Sequence, residues 1–254
     1  MKRFFRSVLV ASAFAFFWSG AALLAWVLLP PLALIGGSSV ERTRRCQRFV
    51  SGSFRLFHGY MQVLRLVDAR VTGEIPRPDG GPVVLVANHT TLVDVTAIIA
   101  RFPNICCVAK SSYADNFFVG RLLRLCGFIP SEQRDPEGKS ILETACERLR
   151  QGFDILVFPE GTRSPPDGLL PFRRGAFEIA CRAGVPIVPL LLRCQPSALT
   201  KDRAFWDHPD KMASLTIEPQ APINPLDCNR NSRHLRQKIE AEYRAALNLP
   251  KVKT

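Results

Sequence analysis

Apolar and charged positions divide this chain into two unlike parts. Ser7 through Val40 runs 34 residues without a charge and includes Phe14, Phe16, Phe17, Trp18, Leu23, Leu24, Trp26 and Leu28. About 20 apolar residues already span a bilayer, so no soluble domain needs such a run. As one straight helix it would be roughly 51 Å long, against a hydrocarbon core of ~30 Å. Breaks are available at Ser19-Gly20 and at Pro30-Pro31, where the backbone is loosened or loses donors. Two shorter segments could then form a re-entrant or interfacial hairpin; a single span and a cleaved signal peptide are the alternatives.

After a turn-rich joint at Thr72–Gly81 the pattern changes to short apolar runs alternating with helical periods. Strands are expected at Pro82–Val86, Ile105–Ala109, Phe153–Phe158, Pro186–Leu192 and Leu215–Glu218. Helices are expected at Leu92–Arg101, Asn116–Cys126, Pro136–Gln151, Gly175–Arg182 and Ser232–Leu247. The last keeps Leu235, Ile239, Tyr243 and Leu247 in register to cover a sheet. Strands alternating with helices imply an α/β fold, a mixed but mostly parallel sheet flanked by helices, behind an N-terminal hydrophobic membrane-associated helical segment.

Charge sharpens the N-terminal reading. Of a net +12, residues 1–70 carry ten basic side chains and only two acids, Glu41 and Asp68. Lys2, Arg3 and Arg6 precede the apolar run, and Arg42, Arg44, Arg45 and Arg48 follow it. Positive flanks favour the cytoplasmic side, and basic residues beside a membrane segment attract anionic headgroups. No nucleic-acid reader motif accompanies the charge, so nucleic acid is not an expected partner. The eight cysteines contain no C-x-x-C, which leaves no ligand set for structural zinc.

Two segments carry candidate chemistry. Asn88-His89-Thr90-Thr91-Leu92-Val93-Asp94 puts an imidazole at a strand end and a carboxylate five residues on, in the first turn of a helix. That pair suits a general base and the group that fixes its tautomer. Phe158-Pro159-Glu160-Gly161-Thr162-Arg163-Ser164 follows a buried strand, the edge where α/β sheets bind ligands. Gly161 admits close backbone approach, Arg163 offers a phosphate fork, and Glu160 can hold Arg163 or a substrate.

Together, Asn-His-x4-Asp and Phe-Pro-Glu-Gly-Thr-Arg-Ser closely resemble the glycerolipid acyltransferases, the bacterial 1-acylglycerol-3-phosphate acyltransferase group. Pro171-Phe172-Arg173-Arg174-Gly175-Ala176-Phe177 resembles the Phe-Lys-x-Gly-Ala segment of that family, and Val185-Pro186-Ile187-Val188-Pro189-Leu190 its Val-Pro-Ile-x-Pro block. The resemblance implies that His89 deprotonates an acceptor hydroxyl, oriented by Asp94. The hydroxyl would attack the thioester of acyl-CoA or acyl-carrier protein directly, with no acyl-enzyme and no further cofactor. Lys110, 21 residues after His89, falls where the family places a phosphate-binding lysine. Arg163 matches its other phosphate ligand, and Glu160, Gly161 and Thr162 its acceptor-binding motif. The expected partners are membrane lipids, a lysophospholipid acceptor and the acyl donor. The expected location is the inner membrane, with the catalytic domain on the cytoplasmic face. Residues 1–60 would be the membrane-anchoring helical segment and 61–254 the acyltransferase domain.

Two positions depart from the family pattern. Thr91 stands where Ser is frequent. Gly127-Phe128-Ile129-Pro130-Ser131-Glu132-Gln133-Arg134 lacks the Asp that usually precedes the Arg, although Arg134 is still a candidate acceptor contact. Another lysolipid or hydroxylated lipid, and a non-catalytic lipid-binding scaffold on the same fold, are therefore the alternatives. Gly138-Lys139-Ser140 lacks the remaining glycine of a P-loop, no G-x-S-x-G occurs, and His58, His208 and His234 have no ligand-like spacing, so no metal is implied.

Overall fold

The computed structural model describes residues 2–131, 140–165, 168–201, 204 and 208–250. Its helices are α1 (Lys2–Leu23), α2 (Leu29–Leu34), α3 (Ser39–Val63), α4 (Asp94–Arg101), α5 (Gly120–Leu125), α6 (Ile141–Arg150), α7 (Gly175–Ala183) and α8 (Ser232–Ala246). Its strands are β1 (Val67–Val71), β2 (Val84–Ala87), β3 (Ile105–Ala109), β4 (Ile129–Pro130), β5 (Asp154–Val157), β6 (Ile187–Gln195) and β7 (Ala213–Pro219). They form one seven-stranded sheet in the order β1-β7-β6-β2-β5-β3-β4. Every pairing is parallel except β6 with β7. The mixed, mostly parallel sheet flanked by helices is as the periodicity implies.

Strand alternation sorts the core into two layers. Leu85, Ala87, Leu156, Val188, Leu190 and Leu192 join the cluster that holds residues of α1, α3 and α4. Val84, Val86, Ile155, Ile187 and Leu191 join the cluster under α6, α7 and α8. Successive strand residues point to opposite faces, so each central strand feeds both layers and reads as a continuous apolar run. The joint before β2 is tied down from below: Arg77 donates to both carboxylate oxygens of buried Asp154 at the start of β5, and the Val83 N–H donates to the same group at 3.0 Å.

Several boundaries differ from expectation. No break occurs at Ser19-Gly20: α1 continues to Leu23, and Ser19 Oγ bonds the Ala15 carbonyl at 2.6 Å within the helix. The irregularity comes instead at a π-helical turn, Leu24–Leu28, with Pro30 and Pro31 in the first turn of α2. Proline is tolerated at a helix start, and a widened turn absorbs the missing donors. The chain reverses only after Leu34, and α3 opens with a Ser38–Glu41 capping box. The position between residues 60 and 61 falls within α3. α5 begins at Gly120 rather than Asn116, because the Asn116 side chain accepts the Phe118 and Val119 N–H groups and holds a turn there. The capping box of Ser140 with Glu143 starts α6 at Ile141. The strands β1 and β4 and the full length of α3 were not anticipated.

Candidate active site

Strands β2, β5 and β3 are parallel neighbours, so their carboxyl ends share one edge. The loops leaving that edge carry His89 after β2, Glu160–Arg163 after β5 and Lys110 after β3. Asn88 fixes the first of these. Its amide donates to the Leu192 carbonyl at 2.9 Å and accepts the Leu192 N–H at 2.8 Å. A side chain thus completes the ladder to β6 one residue past the strand, and the next residue, His89, leaves the sheet at a set angle.

The His89 Nδ1 lies 2.9 Å from Asp94 Oδ2. Asp94 is fully buried and His89 partly so. The carboxylate is also held by the Thr91 N–H at 2.8 Å and the Thr91 hydroxyl at 2.6 Å, with Thr90 Oγ1 at 3.3 Å. Burying a carboxylate is tolerable only when its lone pairs are filled, and here they are. These bonds hold the carboxylate while it binds the ring, which leaves Nε2 as the imidazole nitrogen free for other chemistry. The Phe158 ring lies against the imidazole, centroids 4.4 Å apart, and restricts its rotation further.

Glu160 points inward. It is buried, and its Oε1 accepts the Ser164 hydroxyl at 2.6 Å and the His89 N–H at 3.2 Å, while Oε2 accepts the Leu170 N–H at 2.8 Å. Burial pushes its carboxyl pKa up, against the pull of these donors. The Ser164 N–H returns a bond to the His89 carbonyl at 2.6 Å. Glu160 therefore joins the two loops rather than facing solvent. Gly161 takes a left-handed φ of +71° and is exposed. A Cβ there would stand 2.8 Å from the Arg173 guanidinium carbon, so only glycine lets Arg173 lie across this turn. Thr162 is partly exposed in the same turn. Arg163 donates from Nη1 to the Leu199 carbonyl at 2.8 Å, and the Leu92 N–H bonds that carbonyl at 3.2 Å.

Lys110 is exposed at the end of β3. His89, Asp94, Glu160, Gly161, Thr162 and Arg163 come together at one edge of the sheet, and Lys110 stands on the same edge beyond β5. Arg134 lies outside the described residues. Three contributors were missed by sequence reasoning: Thr91 as a ligand of the Asp94 carboxylate, Ser164 as the link between loops, and Arg173 over the Gly161 turn. All three lie inside quoted segments, Thr91 and Ser164 within the two strand-end motifs. Their spacing from Asp94 and Glu160, three and four residues, is the signal that could have found them. Arg173 stands in the segment resembling Phe-Lys-x-Gly-Ala, but nothing local marks its approach to Gly161, which is tertiary.

Residues 68–193 match the family model described as Acyltransferase, a span that holds His89, Asp94, Lys110, Glu160, Gly161, Thr162 and Arg163. The chain is 30% identical over 215 residues to 1-acyl-sn-glycerol-3-phosphate acyltransferase alpha of Homo sapiens, covering 83% of this chain and 73% of that one. It is 32% identical over 174 residues to the beta protein of Homo sapiens, covering 67% and 60%. Its fold overlays the crystal structure of the 1-acyl-sn-glycerophosphate (LPA) acyltransferase, PlsC, from Thermotoga maritima with a TM-score of 0.72, over 98% of this chain and 97% of that one, at 19% identity.

Proposed function

The chain belongs to the acyltransferase family that includes these proteins and is an acyltransferase, and from that premise we propose that it acylates the free hydroxyl of 1-acylglycerol-3-phosphate, giving phosphatidic acid. The observation that carries the reading is the 2.9 Å contact of His89 Nδ1 with buried Asp94. Asp94 accepts the Nδ1 proton, so Nε2 bears the lone pair and takes the proton of the acceptor hydroxyl. The oxygen attacks the carbonyl carbon of an acyl thioester. The tetrahedral intermediate then expels the thiolate, which recovers the proton from the imidazolium. Asp94 stabilises that imidazolium while it exists. No covalent acyl-enzyme and no cofactor beyond the thioester enter this scheme, and acyl-CoA and acyl-carrier protein both supply the bond it needs.

Lys110 and Arg163 hold the acceptor phosphate in this reading, with Glu160, Gly161 and Thr162 shaping the turn beneath it. The exposed flank of α1 seats the enzyme on a membrane; the proposed site is the inner membrane, catalytic domain on the cytoplasmic side. The test is mass spectrometry of products from a panel of lysolipids with each donor. Phosphatidic acid formed from lysophosphatidic acid well ahead of any other product supports the proposal. Preferential acylation of a different lysolipid overturns the acceptor, and no thiol release with any acceptor overturns the reaction.

A further inference from the structure

The loop between Lys110 and α5 is built to hold aromatic side chains out in solvent. Phe117 is 62% exposed, Phe118 40% and Tyr113 46%. The loop's backbone is nevertheless closely tied. The Asn116 side chain accepts two N–H groups, the Gly120 N–H bonds the Asn116 carbonyl at 2.8 Å, and Arg124 donates to the Ala114 carbonyl at 2.7 Å. Gly120 lies so close to Ala114 that a Cβ would stand 2.2 Å from its carbonyl oxygen. A chain that spends these contacts on keeping phenylalanines outside exposes them to something other than water.

The neighbouring helix indicates what that is. Trp26 stacks on Phe117 with centroids 5.1 Å apart and donates its indole N–H to the Phe117 carbonyl at 3.0 Å, while Trp18 meets Phe118 edge-on at 5.4 Å. Both tryptophans belong to Phe4–Leu34, the one stretch among the described residues with the length and apolarity to cross a membrane. Arg121 lies over the Trp26 ring at 5.2 Å. Aromatic rings with arginines beside them are the signature of the headgroup layer, where the ring enters the apolar side and the guanidinium meets phosphate. The loop thus continues the apolar flank of α1 and adds cations that suit an anionic surface.

We propose that Tyr113–Phe118, with Trp26, is a second lipid-contacting element that enters the headgroup layer of an anionic bilayer, with Arg121 and Arg124 at the lipid phosphates. The loop starts three residues after Lys110, so it sets the catalytic edge at the depth of an embedded acceptor's headgroup. This consequence rests on the function proposed above; the insertion does not.

The experiment uses the full chain with Trp18→Phe and Trp206→Phe, which leaves Trp26 as the sole tryptophan. On vesicles of phosphatidylcholine with phosphatidylglycerol, Trp26 fluorescence should be quenched by lipids brominated near the headgroup end of the acyl chain. Phe117→Ser/Phe118→Ser should reduce the quenching and lower turnover of vesicle-embedded lysolipid at least tenfold. It should leave turnover of a short-chain acceptor in detergent micelles unchanged, and Phe117→Leu/Phe118→Leu should retain vesicle activity. Arg121→Glu should weaken the response only where phosphatidylglycerol is present. Absence of quenching, or equal loss of vesicle and micelle turnover, overturns the proposal. Quenching in a chain inactive on every lysolipid would sink the enzymatic reading and leave the insertion standing.

Discussion

His89 and Asp94 work as one unit, and their substitutions should show it. His89→Ala removes the proposed base and should lower turnover by ~10²–10⁴-fold. Asp94→Asn should be comparably severe, because the Thr91 donors then face an amide and the ring loses its orienting charge. Near-normal turnover in a folded His89→Ala protein would end the mechanism. Lys110→Ala and Arg163→Ala should raise the acceptor KM and leave the donor KM little changed. Arg163→Lys should also be costly, since lysine cannot bond the Leu199 carbonyl and a phosphate in the same fork geometry. Steady-state kinetics with each substrate varied in turn decides this; a collapse in donor affinity alone would put the phosphate site on the other substrate. Gly161→Ala combines a left-handed φ with a clash against Arg173. It should cost about 1–2 kcal/mol in stability and shift the acceptor KM, measurable by denaturant unfolding alongside the same kinetics.

At the scale of elements, the joint between α3 and α4 carries a pH dependence. His58 on α3 meets Thr96 Oγ1 on α4 at 2.9 Å, and that hydroxyl donates to the Val93 carbonyl. Thr96 therefore has only an acceptor to offer, so His58 Nε2 carries the proton and Nδ1 is left buried without a partner. Burial lowers the His58 pKa from 6.5 to about 4, with Asp94 pulling the other way. The depressed value means the unfolded chain binds this proton more readily than the folded one. Stability from this site is thus intact above pH 6.5 and is lost as pH falls toward 4, by at most about 3 kcal/mol. Urea midpoints at pH 7.5 and 5 should differ in the wild type and differ less in His58→Leu. An equal drop in both would assign the effect to other groups.

The whole molecule decides how the apolar segment is used. Its residues divide around the helix: Val10, Ala13, Ala21, Leu24, Ala25 and Leu29 are buried against the remainder of the protein, while Phe4, Phe5, Val8, Phe16, Leu23 and Val27 are exposed. Arg6 holds the near end by bonding the carbonyls of Pro209 and Asp210, and Tyr60 bonds Ser12 at 3.2 Å. A helix tethered to α3 and to the segment before β7 lies beside the rest of the protein, with one apolar flank for lipid. Deleting residues 1–36 would accordingly uncover core side chains, and the truncated chain should aggregate rather than become a soluble enzyme. Replacing Phe5, Val8, Phe16 and Val27 by Ser should instead release folded protein into a high-salt wash, scored by sedimentation and circular dichroism. Full retention on membranes would mean the exposed flank is not what binds them.

Local patterning by itself determined the alternation of central strands and helices, the uncharged segment and the two motifs at strand ends. Those depend on side-chain period, turn residues and spacing, all of which are written in neighbouring positions. Ile105–Ala109 needed no correction, because a buried parallel strand is apolar throughout. Val67–Val71 escaped notice because its partner is β7, almost 150 residues away in register, and no local period marks an edge strand of five residues. Only the tertiary structure decided that Glu160 faces inward and joins loops, that Arg173 covers Gly161, and that one flank of α1 belongs to the core. Each of these is set by segments distant in sequence meeting in the fold, where burial turns a motif carboxylate into a brace and one flank of a membrane-length helix into packing.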